Sequence, residues 1–218
     1  MKVANSFFSF EKNTVLFWYF LVGLCGLSFL VPQSKDLVLL FGEMTALALL
    51  SVIFWIEIRQ NSTKSFKIWI MLNFSMAFLF LVAISKTALI FDGVSFSRFF
   101  RFEIVGVPFI LIFTWLSMAL AVVRFSNIIS KIKLFQAVLA CLMMFVFALV
   151  SCFYLFSAKL VDVNQVVATP FDLAAILILS CATVLSHRWL KVDSPITMFF
   201  HWGVLQLILM LVFIGANL

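Results

Sequence analysis

Apolar runs recur along this chain at close to the ~20 residues that an α-helix, rising ~1.5 Å per residue, needs to cross ~30 Å of hydrocarbon. They occupy 14–31, 37–56, 68–85, 104–123, 134–156, 170–185 and 195–218. Backbone inside lipid has no water to bond, and a helix satisfies its N–H and C=O groups within one segment. The runs therefore predict an all-α fold, a polytopic integral membrane protein with about seven transmembrane helices in one bundle. The chain has 218 residues, 65% of them hydrophobic and 11% charged. No polar stretch is long enough for a separate soluble unit, so 1–218 is expected to be a single transmembrane helical domain. The first run resembles a signal peptide in length. No small-x-small cleavage site follows it cleanly, and Leu24 before Cys25 is not the small residue of a lipoprotein signal, so it reads as the first spanning helix.

The formal charge of +6 does not point to nucleic acid, because the cations cluster at the ends of apolar runs, where anionic headgroups attract them. Seven crossings put the N-terminus and the turns at 57–67, 124–133 and 186–194 on one side. These segments hold most of the 15 Lys and Arg. The excess of cations on cytoplasmic loops then places the N-terminus in the cytoplasm, with a bacterial cytoplasmic membrane as the expected location. Membrane lipid or another long apolar molecule is the expected ligand class, and a membrane-protein partner or a homo-oligomer is compatible with it.

Several chemistries are absent from the sequence. It contains no GxGxxG, GxxxxGK[ST], HExxH or GxSxG. Cys25, Cys141, Cys152 and Cys181 all fall in apolar runs without metal or redox spacing, and read as small buried hydrophobes. No metal and no cofactor are expected. The last run has no lysine for a retinal Schiff base.

Ionisable groups inside hydrocarbon are costly, about 2.5–3.5 kcal/mol each at a helix centre, and so they carry information. Glu43 lies about 9 Å into the second run at ~1.5 Å per residue. Desolvation favours its protonated form, which suits either a general acid or a structural hydrogen bond to another helix. Residues one and two positions away point elsewhere, so the partner candidates are Asn73, Ser75, Thr114 and Ser117. His201, beside Trp202, lies deep in the last run, where it suits proton transfer or an interhelical hydrogen bond. Asp172 follows Pro170 in the first turn of its run, a place for a cap or a dipole partner as well as for catalysis.

The least generic stretch is 86–123. Phe91, Phe96, Phe99, Phe100 and Phe102 are interleaved with Asp92, Arg98, Arg101 and Glu103. That mixture suits a membrane–water interface or the mouth of a cavity between helices. Burying each Phe is worth about 1.5–3 kcal/mol, so 91–102 is expected to pack against the helix ends.

Phe91, Phe96, Gly106-Val107-Pro108, Trp115 and Met118 resemble the core pattern of the membrane carotenoid-biosynthesis family that includes the bisanhydrobacterioruberin hydratases. The ungapped spacing of Thr87, Phe91, Gly106 and Trp115 agrees with that pattern, and Pro195 to Trp202 resembles a second family segment. The departures are Asp92 for a Gly, Val94 and Phe96 for two Tyr, Met198 for Asn, His201 for Gly, and Leu81 for a glutamate. The resemblance implies a long apolar isoprenoid as ligand and addition of water to a terminal C=C of this forty- to fifty-carbon polyene. It would use Glu43 as acid, Asp92 or Asp172 to shield the cation or orient water, and Phe96, Phe99 and Trp115 for cation–π support. Phe91, His201 and Trp202 complete the implied substrate contacts. The alternative is a non-catalytic membrane subunit that binds a lipid or pigment or anchors a larger complex. A transporter is disfavoured by the lack of paired Gly/Pro-broken helices.

Overall fold

A computed structural model describes residues 47, 51, 54, 63–87, 91, 93–97, 100, 102–157, 159–163 and 168–192. The described chain is mostly helical, with four helices long and apolar enough to cross a membrane: α1 Lys64–Lys86, α2 Phe109–Ile129, α3 Lys133–Ser157 and α4 Pro170–Trp189. The expected runs 14–31 and 195–218 lie outside the described residues, as does 37–56 apart from helical 47, 51 and 54. The short turn at 130–132 makes α2 and α3 antiparallel neighbours, whereas the connections at 87–108 and 158–169 are longer and carry strands. Contacts run α1 to α2, α2 to α3, α3 to α4 and α4 back to α1.

α2 is the centre of this unit. Leu116, Ser117, Met118, Ala119, Leu120, Ala121, Val122 and Val123 are all buried. Eight consecutive buried positions cover every face of a helix at 3.6 residues per turn, so α2 is surrounded. Ser117, Ala119 and Ala121 are small enough to let neighbouring backbones approach closely. Phe54 packs on the α2 ring of Phe113 with centroids 5.5 Å apart. α3 is the opposite case: Phe135, Val138, Leu142, Val146 and Phe153 form an apolar stripe at helical spacing and are 50–58% exposed.

The helix boundaries correct four expectations. The polar turn expected to run to residue 67 gives way at Lys64, where α1 already begins. The run expected as a helix from 104 starts instead with a hairpin, β2 Glu103–Ile104 against β3 Val107–Pro108. Its two-residue loop, Val105 at φ 56° and Gly106 at φ 78°, has positive φ at both positions, the backbone twist that suits a tight hairpin. Pro108 is extended, and α2 begins after it. At the other end α2 passes through the expected basic turn at 124 and stops only at Ser130. No Gly or Pro interrupts 124–129, so nothing breaks the ladder there. α4 likewise outlasts the expected end at 185 by a turn.

The all-α expectation also needs a local addition. β1 Val94–Phe96 pairs antiparallel with β4 Val161–Val163, joining the α1–α2 connection to the α3–α4 connection. Ser97 N–H donates to Leu160 C=O at 2.9 Å and prolongs the pairing. Val94 is buried, and Phe100 packs on Leu160 and tilts edge-on to Phe96 at 6.2 Å. Phe102 remains 45% exposed. The aromatic connection is therefore folded onto the helix ends by strand pairing, a long-range contact that alternating local residues do not announce.

Candidate functional site

Asp172 organises the end of the bundle where α4 begins. Thr169 is the N-cap and Pro170 opens the helix, a position where its missing N–H costs nothing. The Thr169 hydroxyl accepts from Asp172 N–H at 3.2 Å. In return Asp172 Oδ2 accepts from Thr169 N–H and Thr169 Oγ1, both at 2.7 Å. This is a reciprocal capping box with aspartate at the third position. Asp172 Oδ1 accepts from Phe91 N–H at 2.7 Å, across 81 residues of sequence. Phe91 has φ 55°, an uncommon conformation for a residue with a side chain, and this hydrogen bond holds it there. Asp172 is buried. Both carboxylate oxygens are occupied by donors, so its geometry is that of a cap and tether.

A second polar constellation lies between α1, α2 and α4. Trp115 Nε1 donates to Thr183 Oγ1 at 3.1 Å, and Trp69 Nε1 donates to Thr183 C=O at 3.4 Å. Asn73 Nδ2 donates to Trp69 C=O at 2.9 Å and to Ser186 Oγ at 3.1 Å. The Ser186 hydroxyl also lies 2.8 Å from Thr183 C=O, so one carbonyl serves two donors. His187 meets Trp69 edge-on, with ring centroids 5.3 Å apart. Trp69, Asn73 and Thr183 are wholly buried. Within an apolar bundle each such group must find a protein partner, which makes the seam interhelical glue. Ser180 Oγ, one turn before Thr183, is buried with no hydrogen-bond partner among the described residues.

Of the residues singled out from sequence, Phe91, Phe96, Trp115 and Asp172 are described, whereas Glu43, Asp92, Phe99, His201 and Trp202 lie outside the described residues. Phe91 and Asp172 are brought together. Trp115 is not brought to them: its partner Thr183 lies about 16 Å further along α4 than Asp172, at ~1.5 Å per residue. Phe96 belongs to the strand pair at the Asp172 end. Two of the groups expected to be available to Glu43 are engaged locally or elsewhere, Asn73 in the seam and Ser117 with Thr114 C=O at 2.9 Å.

The sequence reading missed the seam, although a signal was present. Ser180, Thr183, Ser186 and His187 recur at three- and four-residue intervals on one α4 face, as do Trp69 and Asn73 on α1. Among the described residues no group of three or more His, Cys, Asp and Glu is placed to hold a metal ion. No protein-family model, curated protein or solved structure matches the chain.

Proposed function

We propose that this is an integral membrane protein acting as a non-catalytic subunit that binds a lipid or other long apolar molecule within the bilayer. The observation that carries the reading is the inverted polarity of the described bundle. The α3 stripe from Phe135 to Phe153 is half exposed, while Asn73, Ser117, Ser180 and Thr183 are wholly buried. In water that exposed stripe would forgo burial worth about 1.5–3 kcal/mol per large side chain. In lipid the stripe is solvated, and the polar residues do best facing one another. Cations at the end formed by 124–133 and 188–191 orient that end toward the cytoplasm.

The test is fractionation of the expressed full chain, followed by mass spectrometry and absorbance of what copurifies in mild detergent. Retention in membranes through an alkaline carbonate wash, with a stoichiometric apolar molecule bound, is expected. Release by carbonate defeats the membrane reading, and a purified chain free of apolar molecules defeats the binding role.

A second reading is favoured by the contact between Phe91 and Asp172, which joins two residues that the carotenoid-hydratase resemblance implicates. In that reading Glu43 gives its proton to a terminal alkene carbon of a polyene. Water then adds to the resulting tertiary cation and returns a proton to Glu43. Asp172, already bound to three donors, would position the Phe91 segment. Glu43→Gln keeps shape and hydrogen bonding but removes the acid. Loss of water addition by a folded, ligand-bearing variant supports hydration, and unchanged product excludes Glu43 as the acid.

A further inference from the structure

We propose that the end of the bundle formed by the α2–α3 turn and the α4 C-terminus binds the phosphate headgroup of an anionic phospholipid, through Arg188, Lys131, Lys133 and Lys191. The inference rests on the membrane reading above.

Arg188 provides the fixed centre. One guanidinium Nη donates to Lys133 C=O at 2.7 Å, and the other lies 3.3 Å from Gln136 Oε1 and 3.5 Å from Asn127 Oδ1. These three partners come from the last turn of α2 and the first turn of α3. They hold the planar group but are all neutral, so no described residue offers it a counter-charge. Its Nε is buried, with no hydrogen-bond partner among the described residues. A rigid guanidinium held by neutral acceptors is suited to a phosphate oxygen, which accepts strong charge-assisted bonds.

The surroundings select the source of that phosphate. Lys131, Lys133 and Lys191 are exposed around Arg188. Among the described residues the carboxylates, Glu103, Asp162 and Asp172, belong to the opposite end of the helices, and Glu57 and Asp193 lie outside the described residues. Between and beside the cations, Ile128, Ile132, Leu134 and Trp189 are 69–81% exposed. Free phosphate or an acidic peptide would leave those apolar groups in water. A phospholipid satisfies both sets, with acyl chains against the isoleucines and Trp189 and the headgroup against the cations.

The experiment reconstitutes the full chain into bilayers of mixed phosphatidylcholine and phosphatidylglycerol and identifies retained lipid by native mass spectrometry after extraction. Phosphatidylglycerol should be enriched over its share of the mixture. The exposed-lysine variant K131Q/K133Q/K191Q should lose that enrichment, by roughly fivefold per lysine, with an unchanged melting temperature. Equal retention of both lipids by the parent chain, or undiminished enrichment in the variant, overturns the proposal. Displacement of the lipid by millimolar inorganic phosphate also overturns it, in favour of a phosphate-ion site. A chain that does not float with these bilayers overturns the membrane reading as well, whereas flotation without lipid preference overturns only this inference.

Discussion

Where α4 begins, the chain closes on itself: β1 pairs with β4, and Asp172 binds both its own helix start and the Phe91 backbone. Where α4 ends, the acceptors that Arg188 meets among the described residues are all neutral, and the neighbouring lysines and isoleucines are exposed. At one end a buried carboxylate is satisfied by internal donors, and at the other a cluster of cations is presented to the surroundings. The contrast separates two uses of charge in an apolar chain. A buried carboxylate surrounded by donors sets geometry, whereas exposed cations without a counter-charge favour an external partner.

The largest effect available is all-or-none. Single cysteines placed at Lys131 and Asp162 in a cysteine-free background should react with a membrane-impermeant maleimide from opposite faces of the bilayer. Labelling from the same face would break the comparison at its root. Next comes Asp172→Ala, which removes the acceptor of three hydrogen bonds and should lower unfolding free energy in detergent by about 3 kcal/mol. A loss no larger than that of an exposed substitution would mean the closed end is not held by this carboxylate.

Thr183→Val deletes the acceptor of Trp115 Nε1 and should cost about 1–2 kcal/mol, read from the thermal midpoint in the same detergent. An equal midpoint would show that the seam does not hold α2 to α4. Val105→Gly should act in the other direction. It removes a β-branched side chain from φ 56° in an exposed turn, and relief of that strain should stabilise by up to about 1 kcal/mol. The smallest effect is expected of Lys131→Gln, within about 0.5 kcal/mol in stability. A larger loss would show that this cation supports the fold and would blur the distinction between the two ends.

The four described helices long and apolar enough to cross a membrane were legible to different depths. α3 lies within one residue of the run at 134–156, because polar turns bound that run at one end and a composition change bounds it at the other. Pro170 and Asp172 also announced the start of α4, since capping chemistry is local to a few residues, whereas the N-cap Thr169 emerged with the structure. The hairpin at 103–108 was hidden inside an apolar run because hydrophobicity does not distinguish a short strand from a helix start. Gly106 and Pro108 were the available signals, and they had been read only as part of a family resemblance. The seam was readable as a periodic polar stripe, but its partners were not.

By itself the sequence determined that this chain has helices of membrane-crossing length and where most of them lie, because backbone bonding and apolar run length are properties of single segments. It also determined the cap of α4. Tertiary structure alone decided that α2 is enclosed, that β1 finds β4, that Phe91 reaches Asp172 and that Arg188 meets the α2–α3 turn. Each of these depends on which faces meet across long sequence separations. Apolar side chains are nearly interchangeable as partners, so that choice falls to shape and to a few hydrogen bonds.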